Sequence, residues 1–143
     1  FFTNYGNFGR PDMSIYKFCE KMISGESIEV FNKGNHKRDF THIDDSVNFL
    51  KTIIKKRYNE NGHKIFNIAS GKKIELMKII RLIEKEMGFT AKIKFKKMQK
   101  GDVKETHACI LETIKYTKLR PSRSISNGIR EFVNWYKNFK SFK

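Results

Sequence analysis

Short runs that alternate apolar and polar residues take turns along this chain with longer runs whose apolar residues recur every three or four positions. That order confines the chain to the α/β class. Across residues 11–25, Met13, Ile15, Phe18, Met22 and Ile23 mark an amphipathic helix opened by a proline and closed by a glycine. Residues 28–31 alternate as a strand, residues 32–35 carry turn chemistry, and a second extended stretch covers 38–43. Asp44-Asp45 reads as the N-cap of a helix carrying Val47, Phe49, Leu50, Ile53 and Ile54. After a polar break at Asn59-Glu60-Asn61-Gly62, residues 65–69 read as a short apolar strand, and a helix follows through Leu76, Ile79, Ile80, Ile83 and Met87 to Gly88. Residues 91–98 read as a strand with one wet face. Residues 110–118 read as a weaker helix, and Ser124 as the cap of a last one carrying Ile129, Phe132, Val133 and Tyr136. The opening Phe1-Phe2-Thr3 reads as the end of a buried strand, which needs neighbours on both sides, so the first residues read as a cut end.

With 143 residues the whole chain, 1–143, reads as one domain, and 38% hydrophobic with 13% aromatic residues exclude a disordered chain. The formal charge of +15 raises the question of nucleic acid or another polyanion. The lysines are spread through KFCEK, KTIIKKR, SGKK and KNFKSFK, whereas a binding stripe would gather arginines and stacking aromatics on one face. A solvated lysine-rich surface is the favoured reading and a nucleic-acid partner the disfavoured one. Cys19 and Cys109 have neither C-x-x-C nor zinc-type histidine spacing, so they read as free thiols of a cytoplasmic protein, with no metal site. No apolar run approaches the ~20 residues that cross a bilayer. Nothing forms a catalytic kit: no G-x-G-x-x-G follows a strand, and no Ser-His-Asp order or paired carboxylates stand out.

Five phrases in order carry a resemblance: FFTNYGNFGRPDM (1–13), GNHKRDFTHIDD (34–45), FNIASGKKIELMKIIRLIEKEMG (66–88), MQKGDVKETHA (98–108) and REFVNWYKNF (130–139). Together they resemble the C-terminal half of the NAD-dependent epimerase/dehydratase branch of the extended short-chain dehydrogenases, most closely the UDP-glucuronate 4-epimerases. The resemblance implies a C-terminal substrate-binding portion without most of the Rossmann NAD domain. It also implies NAD as the family's cofactor, held by a glycine-rich loop not in this chain. A UDP-sugar such as UDP-glucuronate, the missing N-terminal NAD domain and a second copy in a homodimer are the implied partners. In that family a tyrosine of a Tyr-x-x-x-Lys pair is the acid/base, and a hydride leaves the sugar's C4 for nicotinamide and returns to the other face. Here the one formal match, Tyr136 with Lys140, falls in the last helix and reads as a surface coincidence, so no catalytic residue is assigned.

Site residues follow from the same resemblance. Arg10 would face the sugar and diphosphate, against the plainer reading of a surface arginine paired with Asp12. Thr3 would reach the sugar, at its carboxylate, and Phe2 would lie near the nicotinamide, although Asn4 stands where relatives commonly carry valine. Arg38 would grip the diphosphate, Val30 and Phe31 would flank the uracil, and Gln99 and Asp102 would close over the nucleotide, with Asp102 accepting from ribose hydroxyls. His42 packs. Cys109 replaces a helix-capping aspartate, a loss of ~1 kcal/mol. The function so implied is the substrate-binding part of a nucleotide-sugar epimerase, inactive alone. The alternatives are a basic polyanion-binding module or a gene remnant without a role. Epimerase and 4,6-dehydratase outcomes are not separated, because the deciding acid/base residues lie outside this half.

Overall fold

The computed structural model describes residues 1–56 and 63–141; the expected polar break at 59–62 lies outside the described residues. The elements run β1 (Thr3–Tyr5), α1 (Ser14–Ile23), β2 (Ser27–Phe31), a 3-10 turn (Asn32–Gly34), β3 (Lys37–His42), α2 (Ile43–Lys55), β4 (Lys73–Glu75), α3 (Leu76–Met87), β5 (Lys92–Lys96), α4 (Leu111–Thr117) and α5 (Ile125–Ser141). They make two small sheets, one ordered β1-β3-β4 and one pairing β2 with β5. β1 runs parallel to β3 with Thr3 opposite Phe40, and β4 runs antiparallel to β3. The β2–β5 pair is also parallel. Parallel neighbours need long crossovers, and α1 with β2 supplies the one between β1 and β3.

The core forms where the apolar stripes of α1, α3 and α5 meet the inward face of β2. Ile28 and Val30 of β2, Ile79, Ile80 and Ile83 of α3, and Ile129, Val133 and Tyr136 of α5 are all fully buried. Ser27 and Glu29, on the other face of β2, are exposed, as strand alternation requires. Glycines admit two close approaches. Gly34 has φ +79 with a hypothetical Cβ only 2.5 Å from the Met77 sulfur, and Gly6 has φ +141 with one 2.6 Å from Ile43 Cγ2.

A helix forms wherever apolar spacing predicts one, α2 starting earlier and α5 running further than expected, whereas several strand and cap expectations are corrected. The opening strand is Thr3–Tyr5, so it begins where it was expected to end, and Phe1 is 70% exposed. Residues 65–69 form no strand: Ile65 is exposed, Ile68 and Ala69 are buried, and one bond, from the Phe2 amide to the Ile68 carbonyl at 3.2 Å, ties the segment to the chain start. β4 was not expected. The α2 cap is His42, whose Nδ1 accepts from the Asp44 amide at 3.3 Å, and Asp44 and Asp45 occupy the first turn instead. Asp45 is unavailable as a cap because it is buried and bonded to Ser122 and Arg123. Ser124 does cap α5, accepting from the Asn127 amide at 3.2 Å. α4 starts from Ile110 with no side-chain cap, as the cysteine at 109 implies. Among the described residues no helix is long and apolar enough to cross a membrane.

Candidate functional site

Two groups of candidate residues gather along the β1–β3 sheet. The first surrounds a cleft of about 770 Å³ whose walls include Phe2, Thr3, Phe8, Arg10, Met13 and Phe40. β1 brings Thr3 to it, and a tight turn follows in which the Gly9 amide donates to the Gly6 carbonyl at 3.2 Å. That turn swings Phe8 into the left-handed region at φ +59, with the residue 83% exposed and its ring centroid 5.3 Å from that of Trp135 on α5. A bulky residue held there is strained, a condition that recurs at ligand sites. Arg10 lines the cleft and pairs with Asp12, Nε to Oδ1 at 2.9 Å and Nη2 to Oδ2 at 2.6 Å. The hydrogen bonds hold the Asp12 carboxyl below its ordinary range. Burial, with Asp45 nearby, raises the Tyr5 hydroxyl well above the ordinary tyrosine range, so this cleft residue stays protonated.

The second group centres on Arg38, which β3 presents half-buried. Its Nη2 donates to Asp102 Oδ1 at 2.8 Å, and its Nη1 donates to the carbonyls of Lys37 and Lys104, each at 3.1 Å. The segment carrying Asp102 is fastened to β3 by backbone bonds, Lys37 amide to Lys104 carbonyl and Thr106 amide to Lys37 carbonyl, both 3.0 Å. Lys73 of β4 holds it from the side by a 3.0 Å bond to Glu105. His36, buried just before β3, has Nε2 3.4 Å from Asp102 Oδ2. Gln99 starts the turn at Gly101, its carbonyl accepting from the Asp102 amide at 3.3 Å. Strand alternation puts Arg38 on the same face as Phe40, a residue of the cleft wall and the register partner of Thr3. The two groups are therefore about 7 Å apart along one strand. Phe31 is half-buried at the end of β2. Val30 is core, fully buried, and offers a ligand no side-chain surface.

Residues 1–69 match the NAD dependent epimerase/dehydratase family. The chain is 37% identical over 138 residues to the UDP-glucuronate 4-epimerase of Thermodesulfobacterium geofontis, covering 96% of this chain and 42% of that protein. It is 33% identical over 154 residues to the probable UDP-glucuronate 4-epimerase of Rhizobium meliloti, covering 95% and 45%. Its fold overlays on the UDP-glucuronic acid 4-epimerase from Bacillus cereus, solved with UDP-glucuronic acid and NAD, with a TM-score of 0.89 at 29% identity over 96% of this chain and 44% of that one. The chain belongs to the NAD-dependent epimerase/dehydratase family. It spans less than half the length of these relatives and corresponds to the C-terminal part of the family's α/β fold.

In this epimerase/dehydratase chain the formal Tyr-x-x-x-Lys match is no surface feature. Tyr136 is fully buried in the core, its hydroxyl has no hydrogen-bond partner, and burial raises it well above the tyrosine range, while Lys140 reaches Glu20 at 3.2 Å. Two buried carboxylates that the motif reading gave no site role fasten β3 and α2 to distant parts of the chain. Asp39, fully buried, accepts from the Ser70 amide at 2.8 Å, the Ser70 hydroxyl at 2.6 Å, the Gly71 amide at 3.0 Å and the Ala108 amide at 3.4 Å. Asp45 accepts from the Ser122 amide at 3.1 Å and hydroxyl at 2.9 Å, and from the Arg123 amide at 3.1 Å. The available signal was an aspartate inside a strand that otherwise reads as buried, between Arg38 and Phe40. His42, Asp44 and Glu131 also converge, with ligand-type atoms within 4.8 Å of one another. Arg123 gives both carboxylates a positive partner, at 3.1 Å to Asp44 and 2.8 Å to Glu131.

Proposed function

We propose that residues 1–143 form the nucleotide-sugar-binding part of an epimerase of the UDP-glucuronate 4-epimerase type. The supporting observation is the register that sets Thr3 beside Phe40 and places Arg38 two residues earlier on the same face. One strand pair thus offers a hydroxyl with a nearby guanidinium at one end and a second guanidinium at the other, spaced for a sugar carboxylate and a diphosphate. In this reading Thr3 and Arg10 receive the carboxylate, Arg38 the diphosphate, and Gln99 and Asp102 the ribose hydroxyls. The uracil lies against Phe31, with Val30 contributing backbone only. Phe2, at the cleft wall, fits the apolar face of a nicotinamide, whereas no described strand leads into a glycine-rich phosphate loop for the dinucleotide. NAD, when bound, accepts and returns the hydride at C4. The residues of this chain bind and orient the sugar for it, a contribution that can be as large as the chemistry itself.

Turnover in this reading needs an NAD-binding domain, a homodimer is the working assembly, and the cytoplasm is the compartment. Arg10, Arg38 and Arg123 are each paired with carboxylates of the same chain. Titration calorimetry with UDP-glucuronate tests the proposal. Arg38→Ala should weaken binding by ~1.5–3 kcal/mol, and Arg10→Ala should weaken UDP-glucuronate more than UDP-glucose. Equal affinities for wild type and Arg38→Ala would remove the diphosphate from this site. Conversion of UDP-glucuronate by the bare chain with NAD would overturn the need for a further domain.

A further inference from the structure

His36 is the buried polar group for which the site as described has no use. It sits in the turn before β3, its carbonyl tied to α3 by the Leu76 amide at 2.9 Å, and its imidazole Nε2 has no hydrogen-bond partner. That nitrogen stands 3.4 Å from Asp102 Oδ2. The other oxygen, Oδ1, is already shared between Arg38 Nη2 and the Val103 amide, both at 2.8 Å. Around this cluster the charged neighbours on β3 and β4 are paired elsewhere, Lys37 with Glu75 at 3.6 Å and Lys73 with Glu105 at 3.0 Å. Asp102, itself held by Arg38, is thus the carboxylate that faces the imidazole.

We propose that His36 is a positioning residue for Arg38, acting through Asp102: when protonated it takes over the Asp102 carboxylate and so frees the Arg38 guanidinium for a ligand's diphosphate. The inference rests on the reading that Arg38 receives the diphosphate. With neutral His36, a diphosphate can claim Arg38 only by leaving Asp102 with a single amide donor in a half-buried site, and stripping a carboxylate of its charged partner is costly. A proton on Nε2 replaces that partner at once. The proton moves from solvent to Nε2, no covalent bond between heavy atoms changes, and the ion pair exchanges Arg38–Asp102 for His36–Asp102 with the guanidinium on the phosphates. Linkage then fixes the sign: ligand binding favours the protonated imidazole, so diphosphate affinity rises as pH falls.

The probe is UDP-glucose, whose diphosphate diester does not itself titrate near neutral pH. Calorimetry in two buffers of different ionisation enthalpy reads the protons taken up on binding. The wild type should take up a substantial fraction of a proton and bind about fivefold or more tightly at about pH 6 than at about pH 8. His36→Gln, and independently Asp102→Asn, should bind without uptake and without that pH dependence; the second variant keeps the test open if the first does not fold. Binding by the wild type with no proton uptake, or the same uptake in His36→Gln, overturns the proposal. Unchanged affinity in Arg38→Ala would instead overturn the diphosphate reading, which separates the two failures.

Discussion

Asp39 is fully buried and yet satisfied, because the Ser70-Gly71 turn and the Ala108 amide converge on its two oxygens. Removing it leaves three backbone amides and two hydroxyls, those of Ser70 and Thr41, facing a void, and hydrogen bonds to a charged group carry ~1.5–3 kcal/mol apiece before compensation by water. Asp39→Ala should therefore lower stability by about 3–5 kcal/mol in urea titrations, with Asp39→Asn in between. A loss under about 1 kcal/mol would show that the oxygens are dispensable. Arg38 and Asp102 are singled out through the family resemblance of the short phrases that carry them. The structural roles of Asp39 and Asp45 are not, since the backbone amides that meet them lie 31 to 78 residues away, and a buried aspartate announces its need without naming what meets it. Val30 shows the opposite failure: its phrase suggested a ligand contact, and its alternation on β2 sends the side chain into the core.

At the scale of elements, α5 was legible from end to end, its Ser124 cap and its Ile129, Phe132, Val133 and Tyr136 stripe both present as expected. Its glycine was not. Gly128 lies under the Tyr5 ring of β1, where a Cβ would sit 2.8 Å from two ring carbons and closer still to the hydroxyl oxygen. Alanine ordinarily gains about 1 kcal/mol over glycine inside a helix, but here the aromatic ring must be displaced. Gly128→Ala should thus destabilise by about 1–3 kcal/mol, and Tyr5→Phe in the same chain should restore part of that; a stabilised Gly128→Ala would mean that α5 can slide away from β1. The strands were harder to read for a related reason. β1 and β4 are three residues each, too short to establish a period, while the apolar run at 65–69 is buried at Ile68 and Ala69 without joining a ladder.

For the whole molecule the buried proton holders set an alkaline limit. Burial pushes the Cys19 thiol up from its ordinary 9.0 to about 12, and raises the Tyr5 and Tyr136 hydroxyls well above their ordinary 10.0. The folded state keeps these protons where the unfolded chain releases them, so this part of the stability is intact below pH 9.0 and is lost as pH climbs through the folded values. The urea midpoint should fall steadily from that pH upward; a flat midpoint to about pH 11 would mean that these groups are open to water. The two aspartates of the β3–α2 segment have a different consequence, for the order of assembly. Asp39 must wait for residues 70–71 and 108, and Asp45 for 122–123, so neither can shed its water until distant chain has arrived. The helices can form early from local contacts, and the two carboxylate locks shut late. Damage to a lock would then shorten the lifetime of the finished molecule far more than it would delay its making.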